Sequence, residues 1–141
     1  MYEDLKKRIK YHEGFRDHVY LDSLGKKTIG YGHLCRSDES WDMDKAYDIE
    51  VLEECFEKDF QVAVNGAETL IGKINMNNTA KEVIIEMVFQ LGKTGVKKFK
   101  KMWAAFKKGD TKEAAKQMLD SKWADQTSQR AEHLASIIRS I

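Results

Sequence analysis

The sequence predicts an α+β fold, mostly helical, in which a small antiparallel sheet is joined by one long helix to a helical lobe. Three observations predict it. Between Phe15 and Leu34, Val, Tyr, Thr and Ile stand among turn residues, which is a strand pattern. From Asp48 to about Ile71 the residues Leu52, Cys55, Phe56, Ala63, Ala67 and Leu70 recur near helical spacing. After Thr79 the apolar runs are helical, and because the chain has no proline, glycines and caps must end them.

In order, residues 2–12 form a short helix with Leu5 and Ile9 four apart and a basic outer face at Lys6, Lys7 and Lys10. Glu13 stands at its end. The sheet follows, with Asp22, Ser23 and Gly25 in a turn. Residues 36–47 are acidic, polar and aperiodic, so they form a loop with room for one helical turn. Asp48 can cap the long helix, since its carboxylate accepts free amide hydrogens. At 1.5 Å per residue that helix is roughly 35 Å long, enough to span two lobes. Thr79-x-x-Glu82 makes a capping box before Val83 to Leu91, which is apolar almost all round and so is the expected centre of the C-terminal core. Gly92 and Gly95 end that helix. Others follow at about 96–106, 112–122 and 128–139, the last preceded by Thr127 or Ser128 as N-cap. The chain is thus one domain over 1–141, with 13–58 the small sheet-containing lobe, 48–71 the connecting helix, and 1–12 with 72–141 the helical lobe.

A composition of 42% hydrophobic and 33% charged residues excludes a disordered or membrane chain. No apolar run reaches the length of a bilayer span, and the start Met-Tyr-Glu-Asp-Leu-Lys-Lys-Arg has no apolar h-region, so an extracellular target would need separate release. The net charge of +1 hides an asymmetry: residues 1–71 hold 10 Lys and Arg against 16 Asp and Glu, and residues 72–141 hold 14 against 7. The densest basic cluster is Lys97, Lys98, Lys100 and Lys101. It reads as a solvated helix face or as an attraction for an anionic polymer, with no nucleic-acid-binding motif beside it. Two cysteines, Cys35 and Cys55, are too few for a disulfide scaffold, and no Cys/His group has zinc-ligand spacing, so free thiols and no metal are expected.

The stretch His12-Glu-Gly-Phe-Arg-Asp-His-Val-Tyr-Leu-Asp-Ser-Leu-Gly-Lys-Lys-Thr-Ile-Gly-Tyr-Gly-His-Leu34 fixes unlike residues at several separations at once. It resembles the active-site segment of the T4-type phage lysozymes, the family 24 glycoside hydrolases. Their Glu-Gly at the end of a first helix, Asp in a turn, and Thr-Ile-Gly-x-Gly-His-Leu strand are met by Glu13-Gly14, Asp22 and Thr28 to Leu34. The likeness continues through Met87 to Val96, Glu113 to Ala115 and Trp123 to Ala131, nearly the whole chain.

The resemblance implies a lysozyme-like fold and a monomeric endolysin that hydrolyses the β-1,4 bond between N-acetylmuramic acid and N-acetylglucosamine in peptidoglycan. It further implies inversion and no cofactor. Glu13 looks like the family's general acid, and Asp22 and Thr28 like its water-positioning pair. Leu34, Phe89, Met102 and Gln117 fall where the family contacts saccharide. Arg130 falls where it places a cation beside the acid, and His33 and Asp59 resemble an ion pair between sheet and long helix. Some positions depart from the pattern. Met102 and Gln117 replace a small hydroxyl and a shorter amide, His12 stands where the T4 enzyme has an acidic residue, and the loop before the long helix is shorter.

The chemistry agrees with this assignment, because glycoside cleavage needs a proton donor on one side of the bond and a second group opposite. A turn at Asp22 brings it to face the same cleft as Glu13, with the carboxyl groups about 6.5–9.5 Å apart for an inverting site. Gly30 and Gly32 would thin one strand for a sugar to approach the backbone. If His33 meets Asp59, Cys35 and Cys55 are carried together and should be buried as apolar thiols. The rival readings are a lytic transglycosylase, against which Asp22 and Thr28 argue, and a non-catalytic wall-binding protein, in which Glu13 would have no purpose. A basic nucleic-acid binder is the third. The expected partner is peptidoglycan, without nucleic acid or stable membrane association. The expected location is the host cytoplasm, until a holin permits release.

Overall fold

The computed structural model describes residues 1–22 and 24–141; Ser23, named above as a turn residue, lies outside the described residues. The order of elements is α1 (Glu3–Glu13), β1 (Arg16–Leu21), β2 (Lys27–Gly30), β3 (His33–Leu34), α2 (Ile49–Ile71), α3 (Asn78–Lys97), α4 (Lys100–Lys107), α5 (Thr111–Leu119), α6 (Lys122–Gln126) and α7 (Ser128–Arg139). The expected mostly helical α+β class with one small antiparallel sheet is found. The described residues divide into two compact units, Met1–Val62 and Ala63–Ile141. Helix α1 and the sheet fall in the first of them.

In the first unit the sheet order is β1-β2-β3, all antiparallel. Tyr20 lies opposite Thr28 and Leu21 opposite Lys27, while an irregularity between Arg16 and Tyr20 bends β1. Thr28 also faces Leu34, and Ile29 faces His33. Under the sheet, Val19, Ile29 and Leu52 form a small core, with Cys35, Trp41 and Tyr47 packed against it half-buried. The loop before α2 contains turns and no helical turn, and it is tied down where the Tyr47 amide donates to Asp17 O (2.8 Å) and the Asp42 amide to the Tyr47 hydroxyl (2.8 Å). Helix α1 is pinned to α2 by ion pairs of Lys6 with Glu57 (2.9 Å) and Lys10 with Glu53 (2.7 Å).

In the second unit α3 is central, as its apolar run predicts: Val83, Ile84, Ile85, Met87 and Val88 are buried on consecutive turns. Its cap differs from the expected Thr79–Glu82 box. Asn77, two residues earlier, accepts the Ala80 amide (2.8 Å), so the helix begins sooner. Gly92 (φ 78°, ψ 160°) breaks α3 as expected, but helix resumes to Lys97, and α4 starts at Lys100 rather than at Val96. The expected 112–122 helix stops at Leu119. The Ser121 hydroxyl then accepts the Ala124 amide (3.2 Å) and starts α6, an element that the sequence pattern did not separate. Thr127 does stand at the N-cap of α7, yet its hydroxyl donates back to Trp123 O (2.9 Å). Met102, Phe106, Ala115, Met118, Leu134 and Ile138, from α4, α5 and α7, complete this core. No described helix is long and apolar enough to cross a membrane.

Candidate active site

Helix α1 delivers Glu13 as its last residue because Gly14 turns left-handed (φ 75°) and returns its amide to Lys10 O (3.0 Å). The Glu13 carboxyl then lies on Gly32, between β2 and β3. A Cβ built on Gly32 would collide with Glu13 Oε1 and stand 3.0 Å from Glu13 Cδ, and its φ of +73° also excludes most side chains. The expectation that Gly32 makes room for a sugar is therefore corrected: it makes room for the carboxyl of Glu13. At Gly30 the same Cβ would meet Leu52 at an ordinary 3.5 Å.

Asp22 and Thr28 are placed by one residue between them, Lys26, through its backbone alone. Asp22 Oδ1 accepts the amides of Lys26 and Leu24, both at 2.8 Å, while the Asp22 amide donates to Lys26 O (2.9 Å). Thr28 Oγ1 donates to the same carbonyl (3.0 Å) and is 5% exposed. With its hydrogen committed, the hydroxyl presents lone pairs to anything else that reaches it. Sequence reasoning missed Lys26, and no side-chain signal could have shown it, since its amide and carbonyl do the work.

Tyr20, opposite Thr28, registers both acidic groups. Its phenol pKa is raised, first by burial, with the Glu13 and Asp22 carboxylates adding to the rise and Arg16 opposing it. Arg16 lies over the Tyr20 ring at 5.0 Å. One side chain thus feels the charge of both Glu13 and Asp22. Leu34, the next partner of Thr28 in the register, is 48% exposed and offers an apolar face beside it.

The His33–Asp59 pair is present, Nδ1 to Oδ2 at 2.7 Å, and His33 is buried. A third group, unforeseen in the sequence, holds the other nitrogen: Glu39 lies 3.0 Å from Nε2 through each of its oxygens. The imidazole pKa is pushed up to about 11, chiefly by the bond to Asp59, then by contact with Cys55 and by Glu39, against burial. Cys35 and Cys55 are free thiols within electrostatic reach of each other, as expected from the pair. Both are only half-buried, however, and Cys55 touches the His33 ring, so the reading of Cys55 as a purely apolar thiol is corrected.

The other expected residues belong to the second unit. Arg130 Nε donates to Glu86 Oε2 (3.0 Å), an ion pair of two buried groups that joins α7 to α3. Phe89 is half-buried. Met102 and Gln117 come together at a cavity of about 670 Å³ that Phe99, Lys101, Trp123 and Gln126 also line. Met102 is 1% exposed and so forms its floor, packed as a core residue. Gln117 stays reachable and donates to Glu113 at 3.4 Å. The lysines 97, 98, 100 and 101 are exposed and straddle the end of α3 and the start of α4, rather than one helix face; Lys98, Lys100 and Lys101 reach the cavity.

Residues 10–138 match the phage lysozyme family profile. Two proteins of Dictyostelium discoideum, probable T4-type lysozymes 2 and 1, are 31% and 32% identical. The alignments cover 97% and 98% of this chain and 94% and 95% of theirs. The pre-baseplate central spike protein of Enterobacteria phage T4 is 31% identical over 89% of this chain and 26% of its own length.

Proposed function

This chain belongs to the phage lysozyme family, and from that premise we propose that it cleaves the β-1,4 bond between N-acetylmuramic acid and N-acetylglucosamine with inversion, using Glu13, Asp22 and Thr28. Membership makes it a glycoside hydrolase of the muramidase type acting on peptidoglycan. The observation that carries the finer reading is the clamp on Lys26, which fixes an Asp22 carboxylate and the lone pairs of Thr28 on one short hairpin. Those two groups are acceptors for the two hydrogens of one water. A water held so has its own lone pair to aim at the anomeric carbon, while Glu13 gives a proton to the leaving oxygen. Asp22 also opposes the positive charge that develops on the ring. Leu34 provides an apolar contact for the sugar beside Thr28. Arg130, paired with Glu86, and His33, paired with Asp59, act by holding elements in place.

Fragment analysis of digested walls tests this. Hydrolysis leaves reducing muramic ends, and Glu13→Gln should abolish cleavage. Anhydro-muramic ends from the wild-type protein would mean that no water is used, and Asp22 and Thr28 would lose their role.

A further inference from the structure

We propose that His33, Cys55 and Asp59 form a binding site for one borderline-soft divalent ion of the Zn²⁺ class. Their donor atoms, an imidazole nitrogen, a sulfur and a carboxylate oxygen, all lie within 4.8 Å of one another. Around Zn²⁺, bonds of about 2.0–2.3 Å place tetrahedral donors roughly 3.3–3.8 Å apart, so side-chain shifts of about an ångström suffice. Cys55 and Asp59 stand one turn apart on α2 and point the same way, while His33 arrives from β3. Zinc-ligand spacing in the sequence does not show such a site, because its parts come from two elements.

Two further features fit an ion better than they fit an ion pair alone. Glu39 holds Nε2 of His33 and leaves Nδ1 to Asp59, the carboxylate–imidazole arrangement that orients a metal-bound histidine. A sulfur against the ring adds nothing that the His33–Asp59 pair requires, yet it is the donor that separates soft ions from Mg²⁺ and Ca²⁺, which take oxygen. Cys55 and Asp59 are half-buried, so solvent reaches the cluster and water can fill a fourth position. On binding, the Cys55 sulfur and His33 Nδ1 give up their protons to solvent and the ion takes their place. An ion there would tie β3 to α2.

The test uses the full chain, stripped of metal with a chelator and titrated with Co²⁺ and then Zn²⁺. The expected result is one ion per chain, a tetrahedral Co²⁺ spectrum with a thiolate-to-metal charge-transfer band, displacement by Zn²⁺, and a Tm raised by Zn²⁺. Cys55→Ser, which keeps the His33–Asp59 pair, should remove the band and weaken Zn²⁺ binding by at least about tenfold. Asp59→Asn should weaken binding too, and Cys35→Ser should leave it intact. Circular dichroism checks that each variant is folded. No stoichiometric binding, binding unchanged in Cys55→Ser, or a band lost in Cys35→Ser and kept in Cys55→Ser would overturn the proposal.

Discussion

In Met1–Val62 the sheet closes on Val19, Ile29 and Leu52, whereas in Ala63–Ile141 one segment of α3, Val83 to Val88, buries six consecutive side chains. The first unit, in which Leu5, Ile9, Phe56 and Phe60 are buried as well, adds polar fixings to its apolar contacts: Lys10 and Tyr31 on Glu53, Lys6 on Glu57, and His33 between Asp59 and Glu39. The second is held by close-packed apolar volume that includes the buried Arg130–Glu86 ion pair. Hydrogen bonds fix direction and packing fixes stability. The proposed water-holding pair sits in the unit where direction is set, with Asp22 and Thr28 both hydrogen-bonded to the backbone of Lys26. In that unit, activity should therefore be lost without loss of fold, and in the other, fold before anything else.

The sharpest break in that comparison is Asp22→Asn. The amide oxygen still accepts the Leu24 and Lys26 amides, so the turn should survive and Tm should hardly move. Wall cleavage, measured as loss of turbidity, should fall by about 10²–10⁴-fold, since the amide is no base and has no charge. A variant that keeps activity, or that unfolds, would remove the distinction drawn for the first unit.

Next comes Glu86→Ala, in the other unit. It takes the Glu86 carboxylate away from the buried Arg130 guanidinium, and breaking a buried pair costs about 3–5 kcal/mol, to be read from urea unfolding. Replacing both partners at once, Glu86→Leu with Arg130→Met, should recover most of that loss, because the unit needs the volume rather than the charges. If the double variant stays as unstable as the single, the pair has a use that packing cannot supply.

A smaller effect is expected from pH. The folded-state pKa of His33 is raised above its unfolded value of 6.5, so its contribution is complete below that value. It is lost as pH rises from there through about 11. Asp59→Asn removes the largest cause of the rise, so its stability, followed by urea midpoint from neutral to alkaline pH, should decline less steeply than that of the wild type. Equal slopes would exclude the pair as a fixing of the first unit.

What the sequence shows and what it hides divides along the same line. Glu13, Asp22 and Thr28 can be proposed from the sequence because they lie close together in the chain and their residue types are chemical. The centre of α3 is legible because its apolar run is long. The placing of Asp22 and Thr28 is not, since the backbone of Lys26 does it and any residue but proline has the same amide and carbonyl. Gly32 showed as a glycine, but its reason, the Glu13 carboxyl above it, comes from a helix nineteen residues away in the sequence. Glu86 did leave a signal: it is the one charge between Val83 and Leu91, and a charge in such a run needs a partner such as Arg130. The helix ends were missed where two caps competed, Asn77 against Thr79, and where a single serine, Ser121, was enough to start α6.

The smallest effect, and the finest probe of how the first unit is held, lies at Glu53. Its carboxylate joins α1 to the β2–β3 turn through Lys10 Nζ (2.7 Å) and the Tyr31 hydroxyl (2.8 Å), and its pKa is lowered chiefly by the bond from Lys10, with Tyr31 helping against burial. That contribution is present above the unfolded value of 4.5 and is lost as pH falls through the lower folded one. The phenol behaves oppositely. Burial first, and then Glu53, raise Tyr31 to about 12, so its contribution is complete below the unfolded value of 10 and is lost as pH rises through about 12. Tyr31→Phe keeps the ring against Phe56 (5.5 Å) and removes only the hydroxyl. Its expected cost is about 0.5–1.5 kcal/mol at neutral pH, and the Tyr31 share of the alkaline loss should disappear with it, leaving that of His33. Lys10→Gln should flatten the acid limb more than Tyr31→Phe does, because it removes the larger cause. Acid limbs identical to wild type in both variants would mean that Glu53 fixes nothing, and the first unit would then stand on its apolar packing and its remaining ion pairs.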